Sequence, residues 1–215
     1  MLDPGSFRDK SGFVIIEKNN VLRIINKSYA DNYEKFIKSG LYNLLLDHQK
    51  INSHKEFKTK KVYSDDQYAV LETEKIPFIS YPFEWSFNQF KEAALFTLEI
   101  QKQCLEYGML LKDASPYNVQ FLNNKPIFID ILSFEKVKNK NYTWKAYNQF
   151  SEMFLSPLIL MSCIDLKFNC LLKEYINGIP NDLLIKLLPI RKKMNPFIFT
   201  NYLIKSKAVA FEKKN

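Results

Sequence analysis

Glycine is scarce in this sequence, with five among 215 residues. A loop that wraps phosphate groups with bare backbone needs several glycines close together, and only Gly12 stands just ahead of the first strand-like run. No glycine-rich turn between a strand and a helix, of the kind that binds S-adenosylmethionine, is present either. Glycine-rich loops are therefore excluded as a general ligand-binding device.

Cysteine is also scarce, and long apolar runs are missing. The three cysteines (Cys104, Cys163 and Cys170) are an odd number without the CxxC spacing, which excludes a disulfide framework or a zinc site. The longest apolar run, FLSPLILM at 154–161, is too short to cross a bilayer. The first ten residues carry no apolar signal segment. We expect a reduced, cytoplasmic, soluble protein with no membrane span.

The composition is that of a globular protein, 47% hydrophobic and 15% aromatic, with a net charge of +8. A positive balance of this size suits polyanionic partners such as nucleotides, nucleic acids or acidic membranes. The lysines are scattered, however, and no basic-aromatic motif of a nucleic-acid module is present. We therefore expect no nucleic-acid partner and attribute most of the charge to compositional bias.

Hydrophobic periodicity predicts strands early in the chain and helices late. A hairpin is expected around Asn19-Asn20 and a second around Asn123-Asn124, because asparagine tolerates positive φ in tight turns. A helix capped by Ser28 is expected to break at Gly40. Strands are expected near 68–72 and 77–81, and a surface loop at 52–61 that carries the surface residue His54. A helix is expected over 86–107, with Ser86 as its N-terminal cap and Gly108 as its C-terminal cap. Residues 144–188 are expected to be mainly helical.

This order predicts an α+β fold with two lobes. The expected boundaries are 1–85 for a β-rich N-terminal lobe with a helical hairpin, 86–190 for a mainly helical C-terminal lobe, and 191–215 for a basic tail.

Three oxygen-bearing side chains then come close together in the sequence. Asp113 and Asn118 are five positions apart in LKDASPYNVQF (111–121), and Asp130 interrupts the apolar run PIFIDILSF. If the second hairpin forms, Asn118 and Asp130 fall at its open end. A carboxylate and an amide carbonyl suit a hard cation such as Mg²⁺, and a second carboxylate is free to take a proton from a hydroxyl.

Asp130 has other interpretations. An unpaired carboxylate in an apolar strand costs several kcal/mol of desolvation, so a partner is required. That partner is a metal or nucleotide complex, or a structural cation such as Lys112 or Lys125, unless the side chain simply emerges at the end of the strand. Asp113 and Asn118 alone are also compatible with an ordinary turn.

The spacing of these residues resembles the protein-kinase-like fold, including its aminoglycoside and choline kinase branch. In those families an Asp is followed by four residues and an Asn, and a metal-binding Asp comes about a dozen residues later. The resemblance implies that Asp113 is the catalytic base and that Asn118 and Asp130 hold Mg²⁺. ATP is the implied cofactor, and SYPFEW (80–85) would lie where adenine docks. Residues that would contact the nucleotide or anchor its phosphates, in part by pairing with each other, are Arg23, Lys27, Glu34, Tyr81 and Lys112.

A narrower resemblance extends over most of residues 9–190. The segments DKSGFV, SYADNYEKFIKSGLY, IPFISYPFEWSFNQFKEAALFTLEIQ, GMLLKDASPYNVQF and IDILSFE are similar to the N-terminal region of a bacterial family described as nodulation-protein-like or as SAM-dependent methyltransferases. In that family a separate methyltransferase domain usually follows. The resemblance implies a methyltransferase domain or protein as a possible partner, and surface polysaccharide as the context.

Two functional hypotheses follow. The first is a phosphotransferase that uses ATP and Mg²⁺ to phosphorylate a hydroxyl of a small molecule or glycan. The second is a non-catalytic, pseudokinase module that accompanies a methyltransferase. The absent glycine loop, the absence of an obvious anchoring lysine and the run Ile-Leu-Ser133 after Asp130, which contains no glycine, favour the second hypothesis.

Overall fold

The computed structural model describes residues 9–17, 20–138 and 143–204. It is a mixed α+β structure in which a small antiparallel sheet and two short strand pairs precede a run of helices. The strands are β1 Gly12–Glu17, β2 Asn20–Asn26, β3 His54–Glu56, β4 Gln67–Thr73, β5 Met109–Leu111, β6 Val119–Leu122, β7 Lys125–Phe128 and β8 Phe134–Lys136. The α-helices are α1 Ala30–Lys38, α2 Leu41–Asp47, α3 Phe87–Glu106, α4 Tyr147–Phe150, α5 Ser156–Cys163, α6 Asn181–Leu187, α7 Ile190–Lys193 and α8 Pro196–Ile198.

The main sheet has the strand order β1-β2-β4-β3, and all its pairings are antiparallel. Side chains alternate between its faces. Leu22 and Ile24 of β2 are buried on one face with Val70 of β4, whereas Arg23 between them projects from the other face. The alternation in β2 therefore directs a single cation towards the opposite side of the sheet.

The first helical segment breaks where the sequence predicts. Gly40 has a φ of 87°, a conformation that glycine adopts without a Cβ clash, and it separates α1 from α2. The expected cap at Ser28 is wrong. Ser28 lies in a 3₁₀ turn, and its hydroxyl donates to the carbonyl of Lys10 at 2.9 Å.

Helix α3 confirms the helix predicted over 86–107. The Ser86 hydroxyl accepts a hydrogen bond from the Gln89 amide at 3.3 Å, and the Gln89 side chain accepts one from the Ser86 amide at 3.0 Å. This reciprocal cap satisfies amides that the first turn leaves without partners. After the helix, Gly108 adopts a φ of 68°.

The second predicted hairpin also forms. Strands β6 and β7 pair around Asn123 and Asn124, whose φ angles are 50° and 62°, as a tight hairpin turn requires. Strand β7 ends at Phe128, however, so Asp130 lies in the loop that follows it and not inside a strand. A 3₁₀ turn over Ile131–Ser133 comes next, and Asp130 caps it by accepting from the Leu132 amide at 3.3 Å.

Two other expectations were wrong. Residues 77–81 form no strand. The polar interval 52–61 is not simply a surface loop, because it contains β3, which pairs with β4 through His54 and Thr73. Strand pairing across the sheet overrides the loop-like composition there.

The chain divides into two compact units, and the division falls within α3. The first comprises the described residues of Met1–Ile79, Phe96–Asp113 and Asn118–Lys145, and the second those of Ser80–Leu95, Ala114–Tyr117 and Ala146–Asn215. The predicted boundaries at 85/86 and 190/191 stay predictions. Among the described residues, no helix is long and apolar enough to cross a bilayer.

The second unit is built from helices, as predicted for 144–188. Helices α4 and α5 are joined by a π-helical turn over Ser151–Leu155. Its core is made of fully buried side chains, which include Phe90, Phe150, Phe154, Leu160, Leu172 and Leu184. Residues 191–204 of the predicted basic tail contain short helical segments, and 205–215 lie outside the described residues.

Candidate functional site

The candidate site lies within the first unit, where β2 meets the loop after β7. The Arg23 Nη1 atom is 2.5 Å from Asp130 Oδ1, and Arg23 Nη2 donates to the Ile129 carbonyl at 3.1 Å. The two residues are 107 positions apart in the sequence. Their side chains are 11% and 21% exposed, so the pair is shielded from most of the screening that weakens surface ion pairs.

A serine joins this ion pair to Asn118. The Ser133 hydroxyl donates to Asp130 Oδ2 at 2.6 Å and accepts from Asn118 Nδ2 at 3.1 Å. The backbone supports the arrangement, because the Ile129 amide donates to the Asn118 carbonyl at 2.9 Å. The structure thus brings the two predicted metal ligands to a single hydroxyl group.

Asp113, the predicted base, is positioned by β5. It follows that strand by two residues, is partly buried and belongs to the same unit as Asn118 and Asp130. In the described ranges, no group of three or more His, Cys, Asp and Glu side chains is arranged to hold a metal ion. A cation at this site would therefore draw on Asp130 and Asn118 and on oxygens from water or a bound phosphate.

The side chains of the other predicted nucleotide-contacting residues of this unit have partners other than Asp130. Lys27 donates to the Asp65 carbonyl at 2.8 Å. Glu34, which we expected to pair with Arg23 or Lys27, instead pairs with Lys38 at 2.5 Å and accepts from the Tyr68 hydroxyl at 2.7 Å. That pairing expectation is wrong, because Lys38 lies one helical turn further along α1 and is within easy reach of Glu34.

Lys112 does not neutralise Asp130 either. Its Nζ donates to the Ser11 hydroxyl at 2.6 Å, lies 3.7 Å from Asp9 Oδ2 and stands 5.2 Å from the centre of the Tyr29 ring. Arg23 takes the role that the structural interpretation assigned to Lys112 or Lys125.

Tyr81 lies in the second unit, in the segment predicted to dock adenine. Its ring is parallel to that of Phe83, with centroids 5.5 Å apart, and it is half-exposed. The Tyr81 amide donates to Glu84 at 2.7 Å, and Asn169 donates to the carbonyls of Phe83 and Trp85. The segment is thus fixed in place by hydrogen bonds.

Sequence reasoning missed a buried polar cluster beside Arg23. His54, predicted to be at the surface, lies on the same sheet face as Arg23, because it pairs with Thr73, two positions along β4 from the partner of Arg23. Within the described residues, Arg23 Nε and Thr73 Oγ1 are buried in this region without a hydrogen-bond partner, and both ring nitrogens of His54 are buried as well. Burial, helped by the positive charge of Arg23, lowers the pKa of His54 from 6.5 to about 3.

The sequence contains only weak signals for the contacts of Arg23 and Ser133 with Asp130. The alternation of β2 identifies Arg23 as a cation flanked by core residues, and Ser133 sits three positions after Asp130, a spacing common in side-chain turns. The burial of His54 had no local signal, because it depends on pairing with a strand 19 residues away.

The chain was compared with known proteins. No family model matches it. It is 32% identical over 205 residues to the nodulation protein NoeA of Rhizobium meliloti (strain 1021), in an alignment that covers 94% of this chain and 42% of that protein. The chain thus spans less than half the length of this relative. The solved structure of vaccinia related kinase 3 aligns with a TM-score of 0.43 and 12% identity, over 60% of this chain and 46% of that one.

Proposed function

We propose that this chain is a kinase-like module that binds a magnesium–nucleotide complex and transfers a phosphoryl group to a hydroxyl of a small molecule or glycan. The observation that carries the proposal is the meeting of Asn118 and Asp130 at the Ser133 hydroxyl, with the Arg23 guanidinium on the same carboxylate. An amide, a carboxylate and a cation gathered from distant parts of the sequence are what a metal–phosphate complex requires.

Asn118 and Asp130 fit as ligands for Mg²⁺, which takes few protein ligands and keeps phosphate or water oxygens. Both side chains lie within hydrogen-bonding distance of one oxygen atom, at 3.1 and 2.6 Å, so a small cation is within the reach of both. The Asn118 amide has to rotate by half a turn, because it now presents Nδ2 to Ser133. When bound, the ion would neutralise phosphate charge.

Arg23 is the proposed phosphate anchor. A guanidinium carries five N–H donors in a planar fork, and Arg23 uses Nη1 and Nη2 on Asp130 and Ile129 while Nε is buried without a partner. Phosphate oxygens would accept hydrogen bonds from the Arg23 N–H groups that do not contact Asp130 or Ile129. Its fork also suits phosphate better than a lysine ammonium does.

Asp113 is the proposed base. The acceptor hydroxyl oxygen would attack the γ-phosphorus, its proton would pass to the Asp113 carboxylate, and the bond from the γ-phosphorus to the β–γ bridging oxygen would break, so that ADP leaves. Catalysis would then rest on positioning and on charge neutralisation.

The second candidate is a non-catalytic kinase-like module that accompanies a SAM-dependent methyltransferase domain or protein. One observation favours it: both Asp130 oxygens already have partners in Arg23, Leu132 and Ser133. An ion pair of this kind is a complete structural device without any metal.

Thermal unfolding with ATP and Mg²⁺, with ATP and EDTA, and with Mg²⁺ alone tests the first candidate. We expect a higher Tm only when both ATP and Mg²⁺ are present, since a ligand that binds the folded state alone stabilises it. Asp130→Asn is expected to remove the shift, whereas the control Asp182→Asn, an exposed acid of α6, is expected to keep it.

The same experiment separates the two candidates. A shift that requires both ATP and Mg²⁺, followed by release of ADP in the presence of simple sugars, supports the phosphotransferase. If Tm stays constant under all three conditions and Asp130→Asn behaves like wild type towards ATP and Mg²⁺, the phosphotransferase is contradicted and the non-catalytic module is left.

A further inference from the structure

The end of the second unit has an unusual charge pattern. Between Asp182 and Glu212 the sequence contains six basic residues and no acidic one, although the whole chain has a net charge of only +8. Three of the six, Arg191, Lys192 and Lys193, are consecutive and form most of α7; the first two are exposed and Lys193 is partly exposed. This stretch therefore carries most of the positive excess of the molecule.

The same stretch exposes large apolar side chains. Ile190 is 80% exposed, Met194 69%, Phe197 48% and Phe199 44%. Isolated exposed apolar residues are ordinary, but four within ten positions of the sequence are a local concentration of exposed apolar surface. We call these four residues, together with Arg191–Lys193, the basic apolar face.

The segment that carries this face is anchored to the second unit. Ile198 and Tyr202 are buried, and the Ser151 hydroxyl donates to the Tyr202 hydroxyl at 3.0 Å. Asn195 accepts from the amides of Phe197 and Ile198 and so fixes the turn between α7 and α8. The buried contacts hold the backbone in place, while the residues between them project into solvent.

We propose that the basic apolar face binds the surface of a bilayer that contains anionic phospholipid. Lysine and arginine beside exposed aliphatic and aromatic residues are the combination by which interfacial segments bind such surfaces, since cations meet headgroups and apolar side chains enter the acyl boundary. The cations and the phenylalanines would also suit a nucleic acid, but the aliphatic side chains of Ile190 and Met194 would not. The absence of a spanning helix among the described residues is compatible with binding from one side only.

Cosedimentation of the full chain with vesicles tests the proposal. One set of vesicles is pure phosphatidylcholine, and the other contains about 30% phosphatidylglycerol. We expect binding to the anionic vesicles only, with an apparent affinity that falls as salt is raised.

Two double variants separate the contributions of charge and apolar contact. Lys192→Glu with Lys193→Glu is expected to weaken binding at least tenfold. This is on the order of the binding free energy that two cationic residues contribute at an anionic surface. Ile190→Ser with Met194→Ser is expected to weaken it by about tenfold through lost apolar burial. The charge control is the double variant Lys58→Glu with Lys60→Glu, and the apolar control is the single variant Val62→Ser. Both controls alter exposed residues of the first unit and are expected to leave binding within about twofold of wild type.

Three results would overturn the proposal. The first is no cosedimentation of the wild type with anionic vesicles. The second is binding that the Lys58/Lys60 control weakens as much as the Lys192/Lys193 variant, which would mean attraction by net charge alone. The third is no vesicle binding but self-association that the Ile190/Met194 variant abolishes, which would make the face a protein interface.

Discussion

Two groups of charged residues in this molecule are arranged in opposite ways. Arg23 and Asp130 come from positions 107 apart, are largely shielded from solvent and share hydrogen bonds with Ser133 and the backbone. Asp182 and Lys186 are one helical turn apart on α6, 3.4 Å from each other and mostly exposed. The first pair needs the tertiary fold to exist, whereas the second needs only a helix.

The two pairs also differ in how strongly their charges interact. An exposed pair on one helix contributes a few tenths of a kcal/mol and is screened by salt. A shielded pair is costly to desolvate, and removing one partner leaves an uncompensated charge, which costs far more than removing one partner of an exposed pair. Under the proposed function, this shielded pair would supply the phosphate anchor and one of the metal ligands.

The largest effect is expected from removing the carboxylate of the shielded pair. Asp130→Ala should lower the free energy of unfolding by about 3 kcal/mol, because Arg23 is left shielded without its counter-charge. Asp182→Ala should cost under about 0.5 kcal/mol. Urea denaturation of both variants measures the contrast, and equal losses would show that the shielded pair is energetically an ordinary surface pair.

A smaller effect is expected from pH. The unfolded chain protonates His54 near pH 6.5, while the folded chain does so only near pH 3, so the folded state binds fewer protons between these values. The free energy of unfolding should therefore fall with decreasing pH in this window, by about 1.4 kcal/mol per unit or about 2 kcal/mol between pH 6.5 and 5.

His54→Gln removes this contribution, and His48→Gln, at an exposed position, is the control. The measurement is the urea midpoint at a series of pH values for all three proteins. If the urea midpoint falls with pH equally in wild type and His54→Gln between pH 6.5 and 5, the burial of His54 plays no part in the acid sensitivity of the fold.

A smaller effect than that of pH is expected from replacing either of the two asparagines that bond a serine hydroxyl, one in each unit. Asn118 donates to Ser133 at 3.1 Å, and Asn181 accepts from Ser156 at 3.3 Å. Replacement of either by alanine should cost about 1 kcal/mol. Only Asn118→Ala should also abolish the Tm shift with ATP and Mg²⁺; retention of that shift in Asn118→Ala would remove Asn118 from the proposed metal site.

Features that depend on neighbouring residues were predictable from the sequence. The cap at Ser86, the break at Gly40 and the turn at Asn123-Asn124 each follow from the chemistry of one or two residues, and the structure confirms them. The meeting of Asn118 with Asp130 followed from one hairpin and its register.

Features that depend on distant pairing were not predictable. The contact between Arg23 and Asp130 requires that the sheet and the loop after β7 come together across more than a hundred residues. His54 is buried because β3 pairs with β4, while its own neighbours are polar and read as a loop. Periodicity over a few residues carries no information about such contacts.

The most direct test of the proposed site is paramagnetic broadening by Mn²⁺, which replaces Mg²⁺ in sites made of oxygen ligands. In the presence of ATP and Mn²⁺, the NMR signals of the Asn118 side-chain amide and the Ser133 backbone amide should broaden strongly. The Asn181 side-chain amide in the second unit serves as the reference and should stay sharp. Uniform broadening of all three signals, or none at Asn118 and Ser133, would contradict a metal–nucleotide site at Asp130.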